Sequence, residues 1–220
     1  MGRFLGTVLL ALCAGPAFAS SAEPTCGAPV DFAAYRNGQH IGSHRVSFER
    51  QGDRLLVTTS IELALKFIGI TVYRYKHRSQ EEWWGGDLRS FSSSTDDDGK
   101  SYEVRVVRDR AQLKVERLAP GAAAYAGDVI PADVLPSTHW NLRQAAQTSL
   151  LNAQKGTLER IAVTPLGRTN VKISSGWRAA THYRYDGDIR MEQWFDDSGR
   201  WVKSRFAVFD GSTIEYLLQD

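Results

Sequence analysis

Ile61-Glu62-Leu63-Ala64-Leu65-Lys66-Phe67 places bulky apolar side chains at the odd positions and the charges of Glu62 and Lys66 at even ones. A period of two is the mark of a strand with one face buried and the other wet. The alternation returns in Tyr102, Val104 and Val106 against Glu103 and Arg105, and in Phe206 and Val208 against Lys203 and Arg205. Between such runs stand Asn37-Gly38, Gly52-Asp53, Gly85-Gly86-Asp87, Asp98-Gly99, Gly187-Asp188, Ser198-Gly199 and Asp210-Gly211. Primed hairpin turns need positive φ, which Gly, Asn and Asp tolerate, so each is a hairpin signal.

Strands are therefore expected over 31–36, 40–50, 54–67, 70–84, 88–96, 100–108 and 111–117. A second set is expected over 157–165, 177–186, 189–196, 200–209 and 212–218. The fold class is all-β: a strongly curved antiparallel sheet or β-barrel of roughly ten strands, with one short helix. Leu142, Ala145, Ala146, Leu150 and Ala153 follow helical spacing and Gly156 supplies a stop. Such a helix, entered through His139-Trp140, would cover an open barrel end and bury Trp140. The stretch 119–126 is small and featureless, and is expected to be a loop.

The chain has 220 residues, 42% of them hydrophobic and 24% charged, which excludes a disordered or fibrous protein. Lys and Arg number 27 against 25 Asp and Glu, a balance that removes the main argument for nucleic acid. Arg3, the uncharged run from Phe4 to Cys13 and Ala17-Phe18-Ala19 have the layout of a secretory signal. The run is too short to span a bilayer. Residues 1–19 are thus expected to be a signal peptide, 20–30 a flexible leader, and 31–220 a single β-barrel-like domain in the periplasm. Neither Cys13 nor Cys26 follows a small residue of the kind lipidation requires, so the mature chain is expected to be soluble. Cleavage would leave Cys26 alone, and a lone cysteine cannot form an internal disulfide.

Two blocks echo each other. Tyr73-Arg74-Tyr75, Glu81-Glu82-Trp83 and Asp98 to Glu103 are matched by Tyr183-Arg184-Tyr185, Glu192-Gln193-Trp194 and Asp210 to Glu215. They read as the same strand–turn–strand–turn–strand unit, either a duplication or a chance likeness between aromatic strands.

Several phrases occur together: Asn37-Gly38-Gln39-His40-Ile41-Gly42, Thr95 to Tyr102, His139-Trp140-Asn141, Leu150-Leu151-Asn152, Trp194-Phe195-Asp196 and the closing Asp210 to Tyr216. In these the chain resembles a family of exported bacterial proteins described as a domain of unknown function. The resemblance implies an exported β-rich protein, and carries no activity or catalytic residue.

Chemistry-bearing patterns are sparse. The five histidines are scattered; His40 and His44 share a strand face by even spacing but no Cys or Glu joins them, so no metal is expected and they read as surface residues. Asp96-Asp97-Asp98-Gly99 lacks the closing Glu of a calcium loop and reads as a hairpin turn. No Gly-x-Ser-x-Gly occurs. Glu81, Glu82 and Glu192 are the only carboxylates considered for glycoside cleavage, and beside Trp they read as a wet strand face. No catalytic residue and no cofactor is assigned.

Aromatic side chains point elsewhere. Tyr73, Tyr75, Trp83, Trp84, His139, Trp140, Tyr183, Tyr185 and Trp194, with Leu63 on the aliphatic face, are the candidate ligand-binding residues. Rings combine apolar area with a polar tip, which suits an apolar cavity with a few polar anchors. The expected function is a non-catalytic periplasmic module for an apolar or amphipathic small molecule. An envelope interaction protein that binds another protein is the alternative, and a hydrolase is third. A barrel core packed solid by its own side chains would fit the same residues.

Overall fold

The computed structural model describes residues 29–219. The expected signal peptide over 1–19, most of the expected leader and both cysteines lie outside the described residues. Eight strands come first: β1 (Val30–Arg36), β2 (Gln39–Gln51), β3 (Arg54–Phe67), β4 (Ile70–Trp84), β5 (Asp87–Asp97), β6 (Lys100–Asp109), β7 (Gln112–Leu118) and β8 (Ala126–Pro131). After them run β9 (Leu135–Pro136), β10 (Ser149–Leu151), β11 (Leu158–Ile173), β12 (Gly176–Gly187), β13 (Met191–Phe195), β14 (Trp201–Ala207) and β15 (Thr213–Gln219).

All belong to one sheet of 15 strands in the order β8-β7-β6-β5-β4-β3-β2-β1-β15-β14-β13-β12-β11-β10-β9. Two antiparallel meanders are thus joined where the first strand pairs with the last, Phe32 opposite Leu218. The expectation of roughly ten strands is too low, and the sheet does not close. Its edges are β8 and β9, and β9 turns inward to pair in parallel with β10. The three strands the sequence concealed, β8 to β10, are short and lack polar–apolar alternation.

The expected helix over 142–153 is also corrected. Only Leu142–Ala146 is helical, as a 3₁₀ turn capped by Asn141, whose side chain accepts from the Arg143 amide at 3.0 Å. Leu150 and Leu151 are both fully buried in β10, a neighbouring pair that a one-sided helix could not bury equally. The chain from 137 to 156 instead packs against the concave face as an irregular segment. Its backbone polar groups are met by side chains: Ser137 Oγ accepts from the Ala153 amide at 3.0 Å, and Ser93 Oγ donates to the Ala153 carbonyl at 2.5 Å. That satisfies groups which would otherwise be buried without partners.

The first and last hairpin signals form a clasp. Asn37 Oδ1 accepts from the Thr213 amide at 2.9 Å, while Arg36 pairs with Asp210 and donates to Ser212 Oγ at 2.7 Å. The two phrases that open and close the domain are therefore one structural unit. The two aromatic blocks are not equivalent: Tyr73 to Trp83 lie on the single strand β4, whereas Tyr183 and Trp194 lie on β12 and β13.

Gly42 sets the curvature beside the clasp. The β1–β2 register shifts between Ala34 and Tyr35, and a Cβ on Gly42 (φ 149°) would stand 1.9 Å from the Glu62 carbonyl oxygen. Only glycine fits such a backbone approach. Gly42→Ala is expected to lower unfolding free energy by about 1–3 kcal/mol, as forced packing and backbone strain do; urea denaturation of the two proteins measures it.

Candidate functional site

The inward face of β3 grades from half-buried Leu65, Leu63 and Ile61 to fully buried Thr59 and Val57. The irregular segment and the sheet together border a hollow, the segment contributing Ser137 to His139 and Asn152 to Gln154. The hollow measures about 820 Å³, within the range of small-molecule sites. Its body is aliphatic, with Ile61, Leu63, Leu65, Met191 and Ile214 in the wall. Arg36, Tyr73 and Lys100 lie toward the rim, and Tyr75 with the turn at Asn152 to Gln154 forms part of the side.

At the inner end stand His44, Thr59, His77, Thr138 and His139. Both ring nitrogens of His44 and the Thr59 hydroxyl make no hydrogen bond among the described residues. His77 Nδ1 is 2.7 Å from Thr95 Oγ1. Burial pushes the pKa of His77 and of His139 down to about 4, and holds that of His44 well below 6.5, with His139 and His77 adding to the effect at His44. All three are neutral at pH 7, so each ring offers one donor and one acceptor.

These histidines correct the surface reading. His40 is exposed while His44 is buried, because the irregularity at Gly42 changes the parity of β2: Ile41 and His44, three apart, both point inward. A Gly amid alternating residues was the available signal. Trp201 is a further residue that sequence reasoning passed over. It is fully buried, 4.2 Å from the Phe32 ring and 5.0 Å from His44.

The family profile described as a domain of unknown function, DUF6134, matches residues 32–219. The chain belongs to the DUF6134 family. No curated protein matches the sequence. Among solved structures, the DUF6134 chain is similar to a β-barrel-like protein of the domain of unknown function DUF1849 from Brucella abortus. The TM-score is 0.59 at 9% identity, covering 88% of this chain and 94% of the other. At that identity the likeness shows a shared fold.

Of the candidate residues in the DUF6134 chain, Leu63, Tyr73, Tyr75 and His139 line the hollow. Tyr73 donates to Asp97 at 2.6 Å and Tyr75 to Gln154 at 3.2 Å, and burial raises the pKa of both hydroxyls so that they stay neutral donors. Trp83 and Trp140 lie deeper, around a different group. Glu81 is fully buried and accepts from Thr138 Oγ1 at 2.6 Å and from the indole nitrogens of Trp140 and Trp83 at 2.9 Å each. Burial raises its pKa to about 7 against the opposite pull of those donors. This carboxylate ties the irregular segment to β4.

Trp84 is exposed and donates to Glu82, which pairs with Arg54. Trp194 is stacked on His182 at 4.2 Å beneath Lys203 and Arg205, and Tyr183 sits half-buried against Phe195 with buried Tyr185 beyond it. Glu192 pairs with Arg205 and His182. The three carboxylates considered for glycoside cleavage thus have separate partners, and Glu81, Glu82 and Glu192 do not converge. Asp96 of the acidic turn accepts from the Gly99 amide at 2.7 Å. No group of three or more His, Cys, Asp or Glu among the described residues is arranged to hold a metal. No helix among them is long and apolar enough to cross a membrane.

Proposed function

We propose that this DUF6134 chain is an exported, periplasmic module that binds an apolar or amphipathic small molecule in the hollow of its sheet. One observation carries the reading: an aliphatic space of about 820 Å³ ends on buried polar atoms that lack partners. Buried hydrogen-bonding groups without partners are costly and therefore uncommon, and a bound molecule would supply what they lack. The neutral imidazoles and the Thr59 hydroxyl suit an uncharged polar group, such as a hydroxyl, ester or protonated carboxyl, while Leu63, Ile61 and Leu65 suit a hydrocarbon. Tyr73, level with Leu65, keeps its polar tip toward the rim, as amphipathic rings do, and Tyr75 adds a second hydroxyl deeper in the wall.

A fluorescent fatty-acid probe is expected to bind wild-type protein with a dissociation constant of about micromolar. Leu63→Trp fills the space and is expected to weaken the probe at least about tenfold with an unchanged melting midpoint. A solid core would respond otherwise, losing about 1–3 kcal/mol of stability to overpacking. Wild-type protein that ignores apolar probes altogether would refute the reading.

A further inference from the structure

The β3–β4 hairpin outruns the sheet. β2 follows β3 only as far as the Gly42–Leu63 pair, and β5 follows β4 only as far as Tyr75–Asp97. Ala64 to Phe67 and Ile70 to Tyr73 pair along their backbones only with each other or Arg74, and Arg74 is met on its other side by the Asp98 amide at 2.8 Å. At the rise of a strand, four residues carry this ribbon about 13 Å past its neighbours.

Its tip is apolar and uncovered. Phe67 is 67% exposed, Ile68 84%, Ile70 69% and Val72 57%. Ile68 has φ 50° and Gly69 φ 77°, so a β-branched residue occupies a left-handed turn position where Asn or Asp would be less strained. Turn propensity does not account for Ile68. Phe209, on the β14–β15 turn at the same end of the molecule, is fully exposed as well. Isolated exposed apolar residues are ordinary, but a ribbon carrying four of them together marks an interaction surface.

Charge indicates what covers it. Residues 64–75 contain Lys66 and Arg74, both exposed, and no acid. The nearest acids stand at the base of the ribbon: Glu62 is exposed on β3 opposite Lys76, while Asp97 is engaged by the Tyr73 hydroxyl and the Gln154 amide, Asp98 by the Arg74 backbone amide at 3.3 Å, and Asp210 by Arg36. An apolar tip, then cations, with Tyr73 half-buried at the level of Arg74, is the layering of an element that enters a lipid–water interface.

We propose that this end of the molecule docks on an anionic lipid surface, with Phe67, Ile68, Ile70 and Phe209 in the acyl boundary and Lys66 and Arg74 at the phosphates. Leu65, Tyr73 and Phe209 also border the hollow, so docking sets its mouth against the lipid. The docking itself does not depend on what the hollow binds.

The test is co-sedimentation with vesicles of phosphatidylcholine alone or mixed with phosphatidylglycerol. Wild-type protein is expected to sediment with the mixed vesicles and to be released by salt. Ile68→Asp is expected to weaken binding at least about tenfold, since the tip would then carry a charge into the acyl boundary. The pair Lys66→Gln and Arg74→Gln is expected to abolish the preference for the anionic lipid. Trp177→Ser, at the opposite end, should bind as wild type. Absence of vesicle binding, or equal binding by Ile68→Asp, overturns the proposal. So does a dimer in sedimentation velocity that Ile68→Asp dissolves, because the ribbon would then be covered by a second copy. Probe binding measured without vesicles reads the hollow separately, so either proposal can fail alone.

Discussion

Acidification from pH 7.5 to pH 5 is expected to destabilise this protein by at least about 2 kcal/mol, through its buried histidines. His77 and His139 titrate near 4 in the folded chain, and near 6.5 once unfolding exposes them. A lowered histidine pKa contributes stability that is whole above pH 6.5 and is lost as pH falls toward 4. Over the interval each of these two groups loses about 2 kcal/mol. His44 acts in the same direction. The groups packed round it are rings, Phe32 from β1, Trp201 from β14 and Tyr216 from β15, with His139 and His77 beyond, so no anion offsets the cost of its charge.

Glu81 opposes them. Its pKa is raised to about 7, so the folded chain takes up that proton first and regains about 2 kcal/mol between pH 7.5 and pH 5. The measurement is the urea midpoint at pH 7.5, 6.5, 5.5 and 5. Stability should fall along the series, and His44→Phe should flatten the fall. A flat wild-type profile would remove the buried histidines from the account.

Trp140→Ala is expected to cost about 3–5 kcal/mol, the range for a large buried aromatic. Trp140 is buried, edge-on to Phe48 at 5.3 Å and to Trp83 at 5.8 Å. Truncation would open a cavity between the irregular segment and β2 to β4, and would take one donor from buried Glu81. Trp140→Phe weights the balance toward the lost donor. It keeps a six-membered ring and most of the apolar contact but loses the N–H and part of the indole's volume, so about 1–3 kcal/mol should be lost. With one donor fewer, Glu81 should titrate still higher. Chemical denaturation gives the energies, and its repetition at pH 6 and pH 8 gives the titration. A Trp140→Ala protein with an unchanged midpoint would mean that the segment is not held by this contact.

Trp140 was legible as a buried residue in the sequence, but its setting was not. Composition, with Leu, Ala and Gln in the majority, points to a helix over 142–153. In the structure those residues must bury Leu150 and Leu151 together and bring Gln154 to Asp97 and Tyr75. Tertiary demand outweighs the modest propensity of one short segment. His44 has the same history, since a parity argument holds only while the register is unbroken, and Gly42 breaks it.

By itself, the sequence determined the all-β class, the antiparallel meanders and most of the turns. Period-two patterning and the positive-φ residues Asn, Asp and Gly act through nearest neighbours, and local physics survives in any context. Only the tertiary structure decided that the sheet has 15 strands and stays open, that Asn37 and Asp210 belong to one clasp, and that three histidines far apart in the chain meet at the end of one hollow. Those are pairings between residues as distant as the first strand and the last. Nothing in a strand's own alternation names its partner, because the energy of such a contact exists only once both strands are in the sheet.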